Sequence, residues 1–134
     1  MPMTTPTGDM AGGKAPSPAQ LKAGAFRDAD GFHKGSGQAV IYRAADGSHL
    51  LRLENFRVTN GPELHVLLTP AADIKSRDEL TSAGYVDLGK LKGNIGNQNY
   101  PIPQDVPLVN PRSVVIYCLP FQVVFSVAAL MAEG

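Results

Sequence analysis

Two nearly continuous apolar runs lie toward the C-terminal end of the chain, residues 113–118 (SVVIYC) and 121–127 (FQVVFSV), separated only by Leu119-Pro120. Each has the length of a strand, is rich in β-branched and aromatic residues, and offers little polar side chain to water. A strand of that composition needs cover on both faces. The pair is therefore expected to sit centrally, with the rest of the chain wrapped around it. It also carries the only cysteine, Cys118.

The preceding segments are shorter and more amphipathic. Residues 38–43 (QAVIYR) read as a strand, Ala44-Ala45-Asp46-Gly47 as a turn, and residues 48–56 as its partner in a hairpin. In that partner His49, Leu51 and Leu53 share one parity while Leu50, Arg52 and Glu54 share the other, as a half-buried antiparallel strand requires. Asn60-Gly61-Pro62 breaks the chain before a strand over residues 63–69 (ELHVLLT). Residues 70–84 are polar, with a short helical turn over 76–80, and residues 85–91 (YVDLGKL) return to strand character. Residues 93–103 (GNIGNQNYPIP) read as a Gly-, Asn- and Pro-rich loop anchored by Ile95, Tyr100 and Ile102. Upstream, Ala25, Phe26 and Phe32 bracket a charged turn at 27–30.

Seven to eight short strands with regular turn signals, and no long helical period, predict an all-β fold: an antiparallel β-sandwich or jelly-roll-like barrel. Residues 1–22, rich in Pro, Thr and Gly, have neither strand nor helix period and are expected to form a flexible tail, leaving 23–134 as the domain.

Charge and cysteine content narrow the function. Lys plus Arg and Asp plus Glu number 12 each, so the net charge is zero. Phosphate backbones and anionic lipid call for a basic face that this balance does not supply, so no nucleic-acid partner is expected. No apolar run approaches the roughly 20 residues of a spanning helix, and residues 1–22 contain no apolar stretch of a secretory signal. One cysteine excludes an internal disulfide, and its count does not decide the compartment. Whether an export signal or lipid anchor has been removed from this sequence is left open.

Cys118 is the sharpest candidate for chemistry. A reactive thiol needs access and a nearby cation or helix N-terminus. Val115, Ile116, Tyr117, Leu119, Pro120 and Phe121 surround it in sequence and none is cationic, which describes a packing residue. The Leu119-Pro120 turn, by contrast, places it at a strand end, where the sulfur could reach the surface. His33, His49 and His65 show no metal-motif spacing. Hydrogen-bonded or surface roles describe them. The C-x-x-C-H haem signature is absent.

In the 93–103 segment, Asn94, Asn97, Gln98, Asn99 and Tyr100 are candidates for a polar ligand. The alternative is structural, with Gly93 and Gly96 permitting positive φ and the amides satisfying loop backbone. A P-loop is excluded, because no Lys-Ser/Thr pair follows the glycines. Asp28, Asp30 and Asp87 form no calcium-loop pattern, and Met1, Met3 and Met10 are only a faint soft-metal set. No G-x-S-x-G elbow and no carboxylate pair stands out, so an enzyme is not expected.

Several stretches together carry a family resemblance: GFH at 31–33 with GSG at 35–37, LRLENF at 51–56, TNGPELHVLL at 59–68, DLGKLKGNIGNQNYPIP at 87–103 and SVVIYCLPFQVVFSVAAL at 113–130. In this order they resemble the DM-thirteen, or electron-transfer, domain across most of residues 25–130. The resemblance implies a small β-sandwich module, often exported and therefore periplasmic, extracellular or surface-anchored, as a lipoprotein or membrane-anchored protein. In animal members it stands beside a DOMON domain that binds haem or sugar. It implies a redox role for a cysteine in the last strands, here Cys118, as a free thiol or as the attachment point of a prosthetic group; His33 and His65, which fall in the matching runs, are the first choices should a metal or haem be bound. Tyr117 stands where many relatives have Trp, and Ser126 and Ala129 where Gly and Pro are common. The expectation that follows is an accessory redox or electron-transfer module with a redox or cell-surface protein partner and no assigned cofactor. The alternative is a non-catalytic, adhesion-type module that binds a ligand or protein.

Overall fold

The structure is a computed structural model that describes residues 19–132. Among these residues nine strands and one helix follow in the order β1 (Ala19–Asp28), β2 (Gly35–Arg43), β3 (His49–Val58), β4 (Leu64–Thr69), α1 (Arg77–Ala83), β5 (Val86–Lys90), β6 (Gln98–Ile102), β7 (Ser113–Cys118), β8 (Val123–Ala129) and β9 (Met131–Ala132). All pairings are antiparallel, and the strand order β5-β4-β7-β8-β1-β2-β3-β6 curls into a nearly closed barrel. Its seam runs between β5 and β6. There the Lys92 amide donates to the Tyr100 hydroxyl, and the Gln98 amide donates to the carbonyls of Gly93 and Gly96.

The expected central pair is central. β7 lies between β4 and β8, and β8 between β7 and β1. Along β7, Val114, Ile116 and Cys118 point into the barrel with Leu64, Val66, Leu68 and Phe125. Val115 and Tyr117 point outward, into a second apolar layer with Leu67, Val124 and Val127, closed by Ile74 and Leu80. Two covered faces explain why the sequence there is apolar at both parities. The cover includes α1, whose start is set by Ser76: its hydroxyl accepts from the Glu79 amide, while the Glu79 carboxylate accepts from the Lys75 amide. Arg77 Nη1 then donates to Gln122 Oε1, tying the helix to the β7–β8 turn.

β3 shows how one residue re-phases a strand. Leu51 and Leu53 face the barrel interior, and so do Phe56 and Val58, at the opposite parity. The switch occurs at Asn55, whose φ of 51° places it in the left-handed region, and the facing register shifts between Ser36 and Gln38. A bulge of this kind moves the apolar set by one position without breaking the sheet.

Two expectations about boundaries are corrected. The domain begins by Ala19, because residues 19–22, expected in the tail, are part of β1; residues 1–18 lie outside the described residues. The 93–103 segment is not loop throughout: Gln98–Ile102 is β6, in register with His49 to Leu53 of β3. Both strands are poor in β-branched residues. β1 is admitted by its neighbours: a Cβ on Gly24 would lie 1.9 Å from the Ala129 carbonyl oxygen, so backbone approaches backbone there at a distance only glycine allows. The short β9 pairs with the early part of β1, Lys22 opposite Ala132.

Candidate functional site

Consecutive strands β1 to β8 alternate in direction, so the connections 29–34, 59–63, 91–97 and 119–122 all gather at one end of the barrel, its mouth. The other connections and β9 lie at the base. Cys118 is the last residue of β7 and faces Leu64 and Val123 in the ladders. Its parity turns the sulfur inward, just below the mouth, and the residue is 1% exposed. Leu119-Pro120 carries the backbone away but leaves the sulfur in the core. The thiol donates to the Pro62 carbonyl at 3.1 Å. The acceptor is a backbone carbonyl, and no described cation bonds to the sulfur.

The cover over this sulfur is the turn at 59–63. Asn60, Pro62 and Glu63 are exposed on their outer side. Gly61 lies on the Phe125 ring, where an added Cβ would approach within 2.6 Å of ring carbon. The same ring packs on His33, with centroids 4.4 Å apart. The Leu119 amide donates to the Glu63 carbonyl at 3.4 Å, joining the turn to the end of β7. Two cavities flank the turn. One, of about 320 Å³, opens between Lys34, Arg57, Asn60 and Asn94. The other, of about 510 Å³, opens between Glu63, Lys90 and Lys92. The sulfur is thus covered by a single turn with solvent space on both sides.

Two of the three imidazoles pair with carboxylates within the chain. His33 Nδ1 pairs with the Asp30 carboxylate at 2.8 Å, and that carboxylate also accepts the Phe32 and His33 amides. These bonds, the His33 side chain's first, hold the Asp30 carboxyl below the usual carboxylate range. His65, on the outer face of β4, pairs through Nδ1 with Asp87 at 2.9 Å. Its Nε2 is buried without a hydrogen-bond partner, 3.7 Å from the Glu63 carboxylate. His49 begins β3 at the base, away from the other two. No group of three or more His, Cys, Asp or Glu side chains converges as metal ligands among the described residues. His33 and His65 each set one ring nitrogen on a carboxylate, and they lie on different segments of the chain.

The amide-rich segment closes the seam. Asn97 Oδ1 accepts the amide of Asn55, the bulged residue of β3, at 2.7 Å. Gln98 and Tyr100 are buried, and Tyr100 donates to Gln98. Burial pushes the Tyr100 phenol above its ordinary value. Asn99 accepts from Arg52 on the outer surface, and the Asn94 carbonyl accepts the Val58 amide. Of the five candidates, Asn94 lines both mouth cavities. Sequence reasoning had no means of finding Lys34 and Arg57 beside it, because register, not local pattern, brings them together.

Compared with known proteins, residues 26–130 match the model of one family, described as electron transfer DM13. No curated protein and no solved structure gives a match.

Proposed function

This chain belongs to the electron transfer DM13 family, and from that premise we propose that it is an extracytoplasmic accessory module of an electron-transfer system, with Cys118 as its redox group. The observation that carries this reading is the cover: a thiol whose one hydrogen bond runs to Pro62, beneath a single exposed turn flanked by two cavities. At rest the sulfur is shielded. Lifting the turn breaks the bond to Pro62 and opens the sulfur to a partner, with the thiolate as the nucleophile. It then attacks a disulfide of a protein partner: the S–S bond breaks, a mixed disulfide forms, and the partner's second sulfur leaves to take up a proton. The module turns over no substrate of its own in this reading.

Alkylation of native protein across a denaturant series tests the proposal. Local opening predicts labelling of Cys118 at a rate independent of denaturant well below the unfolding transition. Labelling that follows global unfolding at every concentration overturns it.

A second reading, a docking module without redox chemistry, is favoured by a separate observation. Phe32, Ile95 and Phe121 are 84%, 58% and 69% exposed, one on each of three mouth connections. Large exposed apolar side chains gathered at one pole are a feature of protein interaction sites. Replacing Phe32 and Phe121 by Ser is then expected to abolish capture of the partner while leaving the melting temperature unchanged.

A further inference from the structure

Three segments meet beside the mouth without involving Cys118. Ser36 of β2 stands opposite Arg57 of β3, and Arg57 in turn bridges to Ile95 of the 91–97 connection. Backbone bonds fix this floor. The Thr59 amide donates to the Lys34 carbonyl, the Lys34 amide to Thr59 Oγ1, and the Val58 amide to the Asn94 carbonyl, each at 2.9 Å. The Gly35 amide donates to Asp28 at 2.9 Å. Above the floor lies the cavity of about 320 Å³. Its charged side chains are Lys34, Arg57 and Asp28. Asp28 faces Lys34 Nζ at 3.6 Å, while Arg57 has no carboxylate partner among the described residues. One planar guanidinium is therefore left to set the sign of the cavity, with the Ser36 hydroxyl across the ladder and the Asn60 amide at the edge.

We propose that this cavity binds a small organic acid, its carboxylate held by Arg57 and its carbon body lying against Ile95. Guanidinium is matched to a carboxylate by two parallel N–H donors, which Lys34, already facing Asp28, does not provide. The volume falls at the small end of ligand pockets and exceeds what an inorganic oxyanion fills. Ile95 adds apolar wall on one side, so carbon next to the charge is favoured over phosphate alone. The proposal does not depend on the thiol, so either can fail while the other stands.

Titration of ¹⁵N-labelled protein with benzoate, acetate and inorganic phosphate at constant ionic strength tests it. Benzoate is expected to shift the amides of Lys34, Ser36, Arg57, Asn60 and Ile95 saturably, and more tightly than acetate or phosphate. Arg57→Gln, an exposed position, is expected to keep the melting temperature and weaken benzoate about tenfold or more. Arg43→Gln, at the barrel base, is expected to change nothing. Ile95→Ala should weaken benzoate while leaving acetate as it was. Equal, non-saturating shifts with all three anions, an unaltered benzoate affinity in Arg57→Gln, or shifts centred elsewhere would each overturn the proposal. Tighter binding of phosphate than of benzoate would overturn the organic-acid assignment in favour of a phosphate site.

Discussion

Asp30 holds the 29–33 turn with one carboxylate, which accepts two backbone amides and the His33 imidazole. Because its carboxyl is held below the ordinary range when folded, its contribution is present above the unfolded value of about 3.9 and is lost as pH falls through the folded value. Melting wild type and Asp30→Asn side by side from neutral to acid pH should therefore show a gap that closes on acidification. A gap that widens would contradict the assignment. Cys118 has a structural contribution of its own: Cys118→Ala removes a buried sulfur from the barrel interior and should cost about 1 kcal/mol in denaturant unfolding. Asn97 and Asn99 separate two roles inside one motif. Asn97→Ala leaves the Asn55 amide without its acceptor and should cost about 1 kcal/mol, whereas Asn99→Ala removes only a surface contact with Arg52 and should cost about 0.5 kcal/mol or less.

Among the elements, what could be read from sequence followed from burial on two faces. β7 and β8 announce themselves because both parities are apolar, and the reason is the double cover by barrel interior and α1. β1 and β6 are hard to read because most of their residues carry little strand preference. Ala, Gly and Lys in one, and Asn and Pro in the other, become strands through the ladders offered by β2, β8 and β3. The same holds for the site. The position of Cys118 at the end of a buried strand is legible, but the turn that covers it comes from 56 residues away in sequence. Asn60-Gly61-Pro62 reads only as a breaker, and nothing local says that Gly61 must lie on the Phe125 ring. Gly61→Ala tests that element: its Cβ collides with the ring, which should cost about 1–3 kcal/mol. Because the strain falls on the cover, alkylation of Cys118 should also accelerate beyond what Cys118-distant variants of equal stability show.

At the scale of the whole barrel, three phenols report on burial: Tyr100 inside the barrel, Tyr117 in the outer apolar layer and Tyr42 half-buried on the outer face. Burial raises Tyr42, Tyr100 and Tyr117 above their ordinary value; for Tyr42 the Glu54 carboxylate adds to it, and for Tyr117 so does Tyr85. A phenol whose folded value is raised stabilises the fold fully below the unfolded value of about 10, and that contribution disappears as pH climbs through the folded value. Unfolding free energy measured at successive alkaline pH values should fall beyond about pH 10, together with the rise of tyrosinate absorbance. Stability that stayed flat through that rise would mean the phenols ionise without leaving the barrel wall. The zero net charge of the chain adds a colloidal counterpart, with solubility lowest near the sequence pI of about 6.8.

The pairing of β9 with the first half of β1 has a consequence for tethering. Lys22 lies opposite Ala132, so the two ends of the described chain leave the barrel side by side, at the base. Anything joined through either end, whether a linker, an anchor or a neighbouring domain, attaches at the pole opposite the mouth. The module is built as a pendant: both ends of the described chain leave at one pole, and the mouth lies at the other.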